Sequence, residues 1–412
     1  MSQHILVVGA GVIGAAIAHD LQRRGRRVTL IDRDAPGMGA SFGNMASIAV
    51  TEFVPVSRPA VLRQIPSWLF NPDGPVAVRP GYLPRLFPWF ARFVMAARPA
   101  RARAIEAAGA ALCAPALRDT QALLADLGAA DLLNDTGCLA LYAGDAEFAS
   151  DRDHVAALDR FGVDYQPLDR AALTALEPEL APLITRALLF PDNRSLRDPH
   201  RYVTALVDRF QALGGTLRRA EVTGVDRSDR VTGLRLSDGE TLSGDAVVLC
   251  AGAHTARLAR DLREPIPLET ERGYHTQIMA PGIKLRHALI WPARAFMVTP
   301  TAGGIRVGGT VEMAGLDAPP DWNRARLTVR HARAALPGLQ VQQTSEWMGH
   351  RPALPDTVPI LSPSARTRGL FYATGHGHLG VTQAATTARL MGQLIDGATP
   401  DLDLRPYRVD RF

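Results

Sequence analysis

Three glycines and one acid near the N-terminus have the residue types and spacing to hold a dinucleotide. Gly9, Gly11 and Gly14 form a Gly-x-Gly-x-x-Gly turn, and Asp32 follows eighteen positions after the last glycine. In such a turn the first glycine makes the tight bend. The second lets backbone N–H groups approach a pyrophosphate, and the third lets a helix pack close to a sheet. The helix start adds unsatisfied N–H groups and the positive end of a dipole. A carboxylate at Asp32 can accept both ribose hydroxyls and would repel a 2′-phosphate, which leaves FAD or NAD and excludes NADP. No second motif of this kind follows a strand later in the chain. The pairs Gly303-Gly304 and Gly308-Gly309 sit in strand-like surroundings and read as hairpin turns.

These residues need a strand, a helix and a second strand around them, and the flanking sequence supplies all three. Ile5-Leu6-Val7-Val8 is an apolar run ahead of the turn. A helical pattern then reaches Gly25, and Val28-Thr29-Leu30-Ile31 runs into Asp32. At 412 residues the chain is too long for one simple core, so two intimately joined domains are expected. The net charge of +5 comes from arginines scattered along the chain, with no basic and aromatic platform, so nucleic acid is not an expected partner. Cys113, Cys138 and Cys250 have no metal-binding or disulfide spacing, and Cys250 reads as a buried, inert thiol. The apolar residues 5–18 lack a basic stretch before them and are explained by the glycine turn rather than a signal peptide. No run is long enough to span a membrane, and the expected compartment is the cytoplasm.

Farther along, residues 34–44 form a loop dense in glycine and small polar residues, with Ser41 and Asn44 as donors. Seven prolines between 55 and 84 imply short regular elements. Helix is expected over roughly 84–127 and 145–161, with a strand from Thr136 to Ala143 between them. Asp198-Pro199 starts a helix that ends at Gly214-Gly215. Strands follow over Leu217–Arg227, Arg230–Ser237 and 245–250, then strand-like runs across 268–311 and a strand, loop and helix over 368–395. The second half of a nucleotide domain thus lies far from the first βαβ unit, with a substrate domain inserted between. The segment 84–103 carries five arginines and a Phe/Trp stripe. A helix packing its aromatic side on the core is the favoured reading, and a peripheral contact with an anionic membrane surface is the alternative.

Four blocks carry a family likeness: GAGVIGAAIAHDL with VTLID, GASFGNMASI, VVLCAGAHT, and GHRPALPDTVPILSPS followed by LFYATGHGHLGVTQAATTARLMGQLI. On these the chain resembles the D-amino-acid oxidase superfamily of FAD enzymes, and within it bacterial D-amino-acid dehydrogenases and glycine-oxidase-like amine oxidoreductases. The resemblance implies an α/β fold. An FAD-binding Rossmann-like domain of the glutathione-reductase type would comprise 1–50, 190–265 and 345–412, interleaved with an antiparallel α+β substrate domain over 51–189 and 266–344.

The resemblance also implies roles. Gly9, Gly11 and Gly14 become the turn at the FAD pyrophosphate and Asp32 the ribose ligand. Ser41 and Asn44 touch the non-covalent FAD, Val222 lies beside the adenine, and Ala251 and Gly252 close over the phosphates. Gly375, His376, Gly377, His378, Leu379, Gly380, Val381 and Thr382 run along the flavin ring. There a helix start could stabilise the negative charge that grows on the ring's N1–C2=O edge upon reduction. His376 and His378 could suggest a metal, but no third ligand is evident nearby, and they read as loop residues that pack against and tune the flavin. Arg351 becomes the clamp for a substrate carboxylate; from the residues alone, a salt bridge to Asp356 is an equal alternative. Tyr274 and His275 begin a strand, whose alternation sends them to opposite faces, so that one can meet the substrate.

The implied reaction is oxidation of a D-amino acid or related amino or imino acid. Hydride passes from Cα to flavin N5, and water converts the imine to the keto acid. A glycine, sarcosine or D-hydroxyproline type of substrate is an alternative, as is an electron-transferring subunit of a larger dehydrogenase. The electron acceptor is a quinone or oxygen, with dehydrogenase favoured over oxidase. An acceptor in the membrane would bring the chain to its inner face.

Overall fold

The computed structural model describes residues 3–69, 71 and 73–412. Pro72 of the proline-rich stretch lies outside the described residues, and so does the side chain of Pro66. Two sheets organise the chain. The first has six strands in the order Thr216–Arg219, Arg27–Asp32, His4–Val8, Ala246–Leu249, Leu370–Thr374 and Ile360–Pro363. The first five pair in parallel and the last is antiparallel. Ile5, Leu6, Val7, Val247, Val248 and Leu249 are all fully buried. A parallel sheet covered on both faces requires such continuous apolar strands. Helices Val12–Arg23, Pro199–Ala212 and Gly380–Ile395 build one core with it through Ile17, Leu21, Leu206, Phe210 and Leu390. The α/β class expected from the sequence is therefore present.

The second sheet has nine strands. Its path runs Thr344–Ala353, Glu269–Ile278, Gly304–Met313, Phe296–Thr301, Ala288–Trp291, Cys138–Tyr142, Arg186–Phe190 and Gln166–Leu168, with Val76–Val78 beside Gly304–Met313. It is antiparallel apart from two parallel pairs, Ala288–Trp291 with Cys138–Tyr142 and Val76–Val78 with Gly304–Met313. Strands cross the expected division: Leu133–Asn134, of the substrate stretch, pairs with Arg194–Leu196, of the nucleotide stretch, and a longer strand crosses it the other way. Thr344–Ala353 falls in the stretch assigned to the nucleotide part, yet it pairs along its length with Glu269–Ile278. Gly349 and Pro352 hide it from a propensity reading, because both are poor strand formers.

Other elements differ locally. The 217–227 run splits at 220–221, and its halves join different sheets. The expected helix over 84–127 is three helices, Leu83–Ala96, Pro99–Cys113 and Ala116–Asp126; Pro99 opens the second, and Pro115 precedes the third. The proline-rich stretch still forms the helix Pro59–Leu69, since Pro59 occupies a first position that needs no N–H partner. Gly303 lies in a hairpin turn, but Gly308-Gly309 lies within the strand Gly304–Met313, beside a bulge in its pairing with Glu269–Ile278. All three cysteines are buried free thiols.

Glu177 ties the helix Arg170–Leu176 to this sheet. Its buried Oε1 accepts from the Arg286 and His287 amides at 2.8 and 2.6 Å, and pairs with His287 Nδ1 at 2.8 Å. Removing it strands those donors, which costs about 3 kcal/mol. Glu177→Ala should lower the urea midpoint accordingly, read by the fluorescence of Trp291 in the same sheet. A shift worth under about 1 kcal/mol would contradict this.

Candidate functional site

The glycine turn is built as its chemistry requires. Gly9 has φ +106°, and a Cβ there would lie 2.5 Å from the Cys250 carbonyl oxygen. A Cβ on Gly14 would lie 1.8 Å from the Gly9 carbonyl oxygen, so Gly14 sets how closely helix Val12–Arg23 approaches the sheet. Gly11 is the N-cap of that helix and has no side chain to offer. The cap comes instead from the distant loop: Ser41 Oγ accepts from the Val12 amide at 2.9 Å. Asp32 Oδ2 accepts from the Ala10 amide at 2.6 Å and Oδ1 from the Asp34 amide at 3.0 Å. A carboxylate has about four acceptor sites. One on each oxygen pins the turn, and the others remain for a ligand. Asn44 is spent within its loop, donating to the Ser41 carbonyl and accepting from the Ala46 amide.

A cavity of about 1040 Å³ runs from this turn to the C-terminal loop. That is the upper end of the usual range for ligand sites. Gly9, Gly11, Asp32, Ser41, Asn44, Val222, Ala251 and Gly252 line one end of it. His376, Gly377, His378, Leu379, Gly380, Val381 and Thr382 line the other, where helix Gly380–Ile395 begins. Thr382 ties that helix to the loop after Asn44, donating to the Ser47 carbonyl and accepting from the Ala49 amide. Gly14 and Gly375 stand behind the wall. Gly375 makes the bend at φ +85°, where a Cβ would strike Leu354 Cδ1 at 2.2 Å. His376 turns away to Thr387 Oγ1 at 3.0 Å, and burial holds it neutral, its pKa lowered to about 3. His378 lines the cavity and is exposed there. Among the described residues, no group of three His, Cys, Asp or Glu could hold a metal. Glycine cradle, acid, the strand at Val222 and the second helix start along one continuous cavity fit an extended FAD.

The floor of the cavity comes from the nine-stranded sheet. Arg351 lines it, at strand register opposite Glu271. Its guanidinium lies over Gly273, where a Cβ would come within 2.3 Å of Nη2. Burial lowers the Arg351 pKa, with Glu271 opposing. The alternative partner Asp356 is engaged by Arg411 at 2.8 Å. Among the described residues, Arg351 has no ion pair.

Tyr274 and His275 do not begin their strand; they sit in the middle of Glu269–Ile278. Neither presents a free polar group to the cavity. The Tyr274 hydroxyl donates to Glu312 Oε2 at 2.5 Å and accepts from the Asp321 amide at 3.0 Å, on the face that holds Arg272. His275 shares the face of Arg351 but is covered by Trp347, with ring centroids 5.2 Å apart, and its Nδ1 pairs with the Gly43 carbonyl. Burial, then the Arg306 charge, lowers His275 to about 3.

Sequence reasoning missed several cavity residues. Trp347 fits only because Gly43 and Gly349 flank it, each with a Cβ position about 2 Å from its ring. Helix Leu83–Ala96 is not simply packed on the core: Leu83, Leu86, Phe87, Trp89, Phe90 and Phe93 wall the cavity, and Phe87 is 68% exposed at its edge. Glu52, Asp151 and His154 line another part. Burial opposes charge on His154, but Asp151 and Glu52 outweigh it and raise its pKa to about 9. These residues lie far apart in sequence, and no spacing rule joins them. No described helix is long and apolar enough to cross a membrane.

Comparison with known proteins agrees with this geometry. Residues 4–394 match the family described as DAO, FAD dependent oxidoreductase. A D-amino-acid oxidase of Bradyrhizobium diazoefficiens is 32% identical, covering 100% of this chain and 99% of that protein. A D-amino acid dehydrogenase of Methylobacterium radiotolerans is 31% identical, covering 99% of each. Among solved structures, glycine oxidase from Geobacillus kaustophilus superposes with a TM-score of 0.78 at 21% identity, covering 100% of both chains.

Proposed function

Because the chain belongs to the DAO family of FAD-dependent oxidoreductases, we propose that it oxidises a D-amino acid or a related amino or imino acid at Cα. One observation carries the reading. A half-buried Arg351 without an ion-pairing partner among the described residues shares one cavity with the glycine-rich helix start His376–Thr382. A guanidinium kept free inside a protein serves an anionic ligand, and its planar fork matches a carboxylate. The names of the relatives, D-amino-acid oxidase and D-amino acid dehydrogenase, support an amino-acid substrate.

In this reading the parallel sheet and its helices hold the nucleotide, and the larger sheet forms the substrate floor. Arg351 fixes the substrate carboxylate and so sets which Cα–H faces the ring. Bound FAD supplies a hydride acceptor. Neutral His376 adds no positive charge beside it, which leaves the N–H groups at Gly380 and Val381 to stabilise negative charge there. Trp89 and Phe90 exclude water from the same space. The electron acceptor is a quinone or oxygen. The exposed Leu83, Phe87, Val94 and Met95 on helix Leu83–Ala96 favour a membrane-surface contact there.

The test is anaerobic bleaching of the yellow holoprotein by a panel of D-amino acids, D-proline, glycine and sarcosine, followed by reoxidation with oxygen or a quinone-like dye. Bleaching by at least one member is the expected result. A flavin that stays oxidised across the panel would sink the proposal.

A further inference from the structure

The wall that carries Arg351 carries a second charge that the family reading leaves unused. Glu271 stands directly opposite Arg351 on the paired strands Glu269–Ile278 and Thr344–Ala353, and both line the cavity. Directly opposed residues of an antiparallel pair point to the same face, with their Cβ atoms about 5 Å apart. They nevertheless form no ion pair. Arg351 leans along the sheet into the space left by Gly273, and both residues line the same cavity.

The Glu271 side chain has no hydrogen bond or ion pair among the described residues. Burial pushes its carboxyl pKa up, with Arg351 opposing. The nearest acid on the same face, Glu269, is already occupied by the Tyr82 hydroxyl and the Thr270 amide. A half-buried carboxylate with nothing to bind carries a desolvation cost, and beside an arginine it repels the very anions that arginine attracts. One ligand chemistry resolves both problems: a molecule carrying a carboxylate and an ammonium on the same carbon.

We propose that Glu271 receives the substrate's α-ammonium, so that Arg351 and Glu271 together read an amino-acid zwitterion. The inference rests on the amino-acid reading above. It makes the site selective against simple carboxylates and gives it a reason to keep an acid next to its arginine.

Two unreactive probes isolate the contact. 2-Aminoisobutyrate has no Cα–H to lose, and isobutyrate is the same molecule without the amine. Each is titrated into the holoprotein, wild type and Glu271→Gln, following the visible flavin spectrum. The wild type should prefer 2-aminoisobutyrate. In Glu271→Gln its Kd should rise about tenfold or more, the loss of one charge-assisted contact, while isobutyrate binds as well as before or better. Glu271→Asp, which keeps the charge, should recover part of the preference. Unchanged 2-aminoisobutyrate affinity in Glu271→Gln would overturn the proposal, and so would an equal loss for both probes, the mark of a merely structural role. A wild type that binds neither probe would overturn the amino-acid reading itself.

Discussion

Replacing Arg351 by methionine lowers kcat/KM for the amino-acid substrate by about two to three orders of magnitude and leaves the bound flavin in place. The size follows from the geometry. Arg351 is half-buried in the cavity wall, has no competing ion pair among the described residues, and lies over Gly273. Losing one partner of a buried charge pair costs about 2–5 kcal/mol, and each 1.4 kcal/mol is about tenfold. Methionine keeps much of the volume, and Arg351 belongs to the larger sheet rather than to the glycine turn, so flavin content should hold. Arg351→Lys should recover only part of the rate, because an ammonium offers a point charge where the guanidinium offers a fork. Anaerobic stopped-flow reduction measures the effect, and the 450 nm to 280 nm absorbance ratio checks the flavin. A loss of under about fivefold would remove Arg351 from the substrate.

A single methyl at Gly14 has the second large effect. A Cβ there would lie 1.8 Å from the Gly9 carbonyl oxygen and 3.3 Å from Cys250 Cβ. The oxygen belongs to backbone held in the glycine turn and has nowhere to go. Helix Val12–Arg23 must move outward instead, and it shares a core with helices Gly380–Ile395 and Pro199–Ala212. Both ends of the cavity then shift together. Gly14→Ala should purify with little or no FAD and be destabilised by about 3 kcal/mol. Gly39→Ala is the control: Gly39 also lines the cavity, but a Cβ there meets nothing within 4 Å. Flavin per protein and thermal midpoint together report the result. Full flavin in Gly14→Ala would contradict the steric argument.

The glycine turn, Asp32 and the helix start at Gly380 were legible in the chain because their constraints are local. Gly9 needs its left-handed φ whatever surrounds it, and Asp198 caps its helix through amides two and three residues on, at 2.9 and 3.0 Å. Local rules also brought Ser41 to the right neighbourhood, though not to its actual partner, the Val12 amide. They failed where a partner is remote. Alternation put Tyr274 and His275 on opposite faces, but it could not show that Glu312 would occupy one and Trp347 cover the other. Nor could it reveal strand Thr344–Ala353 behind Gly349 and Pro352, and without that strand there is no register to set Glu271 beside Arg351.

The sequence by itself thus determined the cofactor class and the two glycine-rich segments that line the cavity, since those depend on backbone shape within a few residues. Tertiary structure alone decided what stands around Arg351 in the cavity wall. Strand pairing chose the neighbours of Arg351, and the missing side chain of Gly273 left the room for its guanidinium. Sheet register, set by contacts across some eighty positions, turned an arginine and an unremarked glutamate into two adjacent charges in one wall.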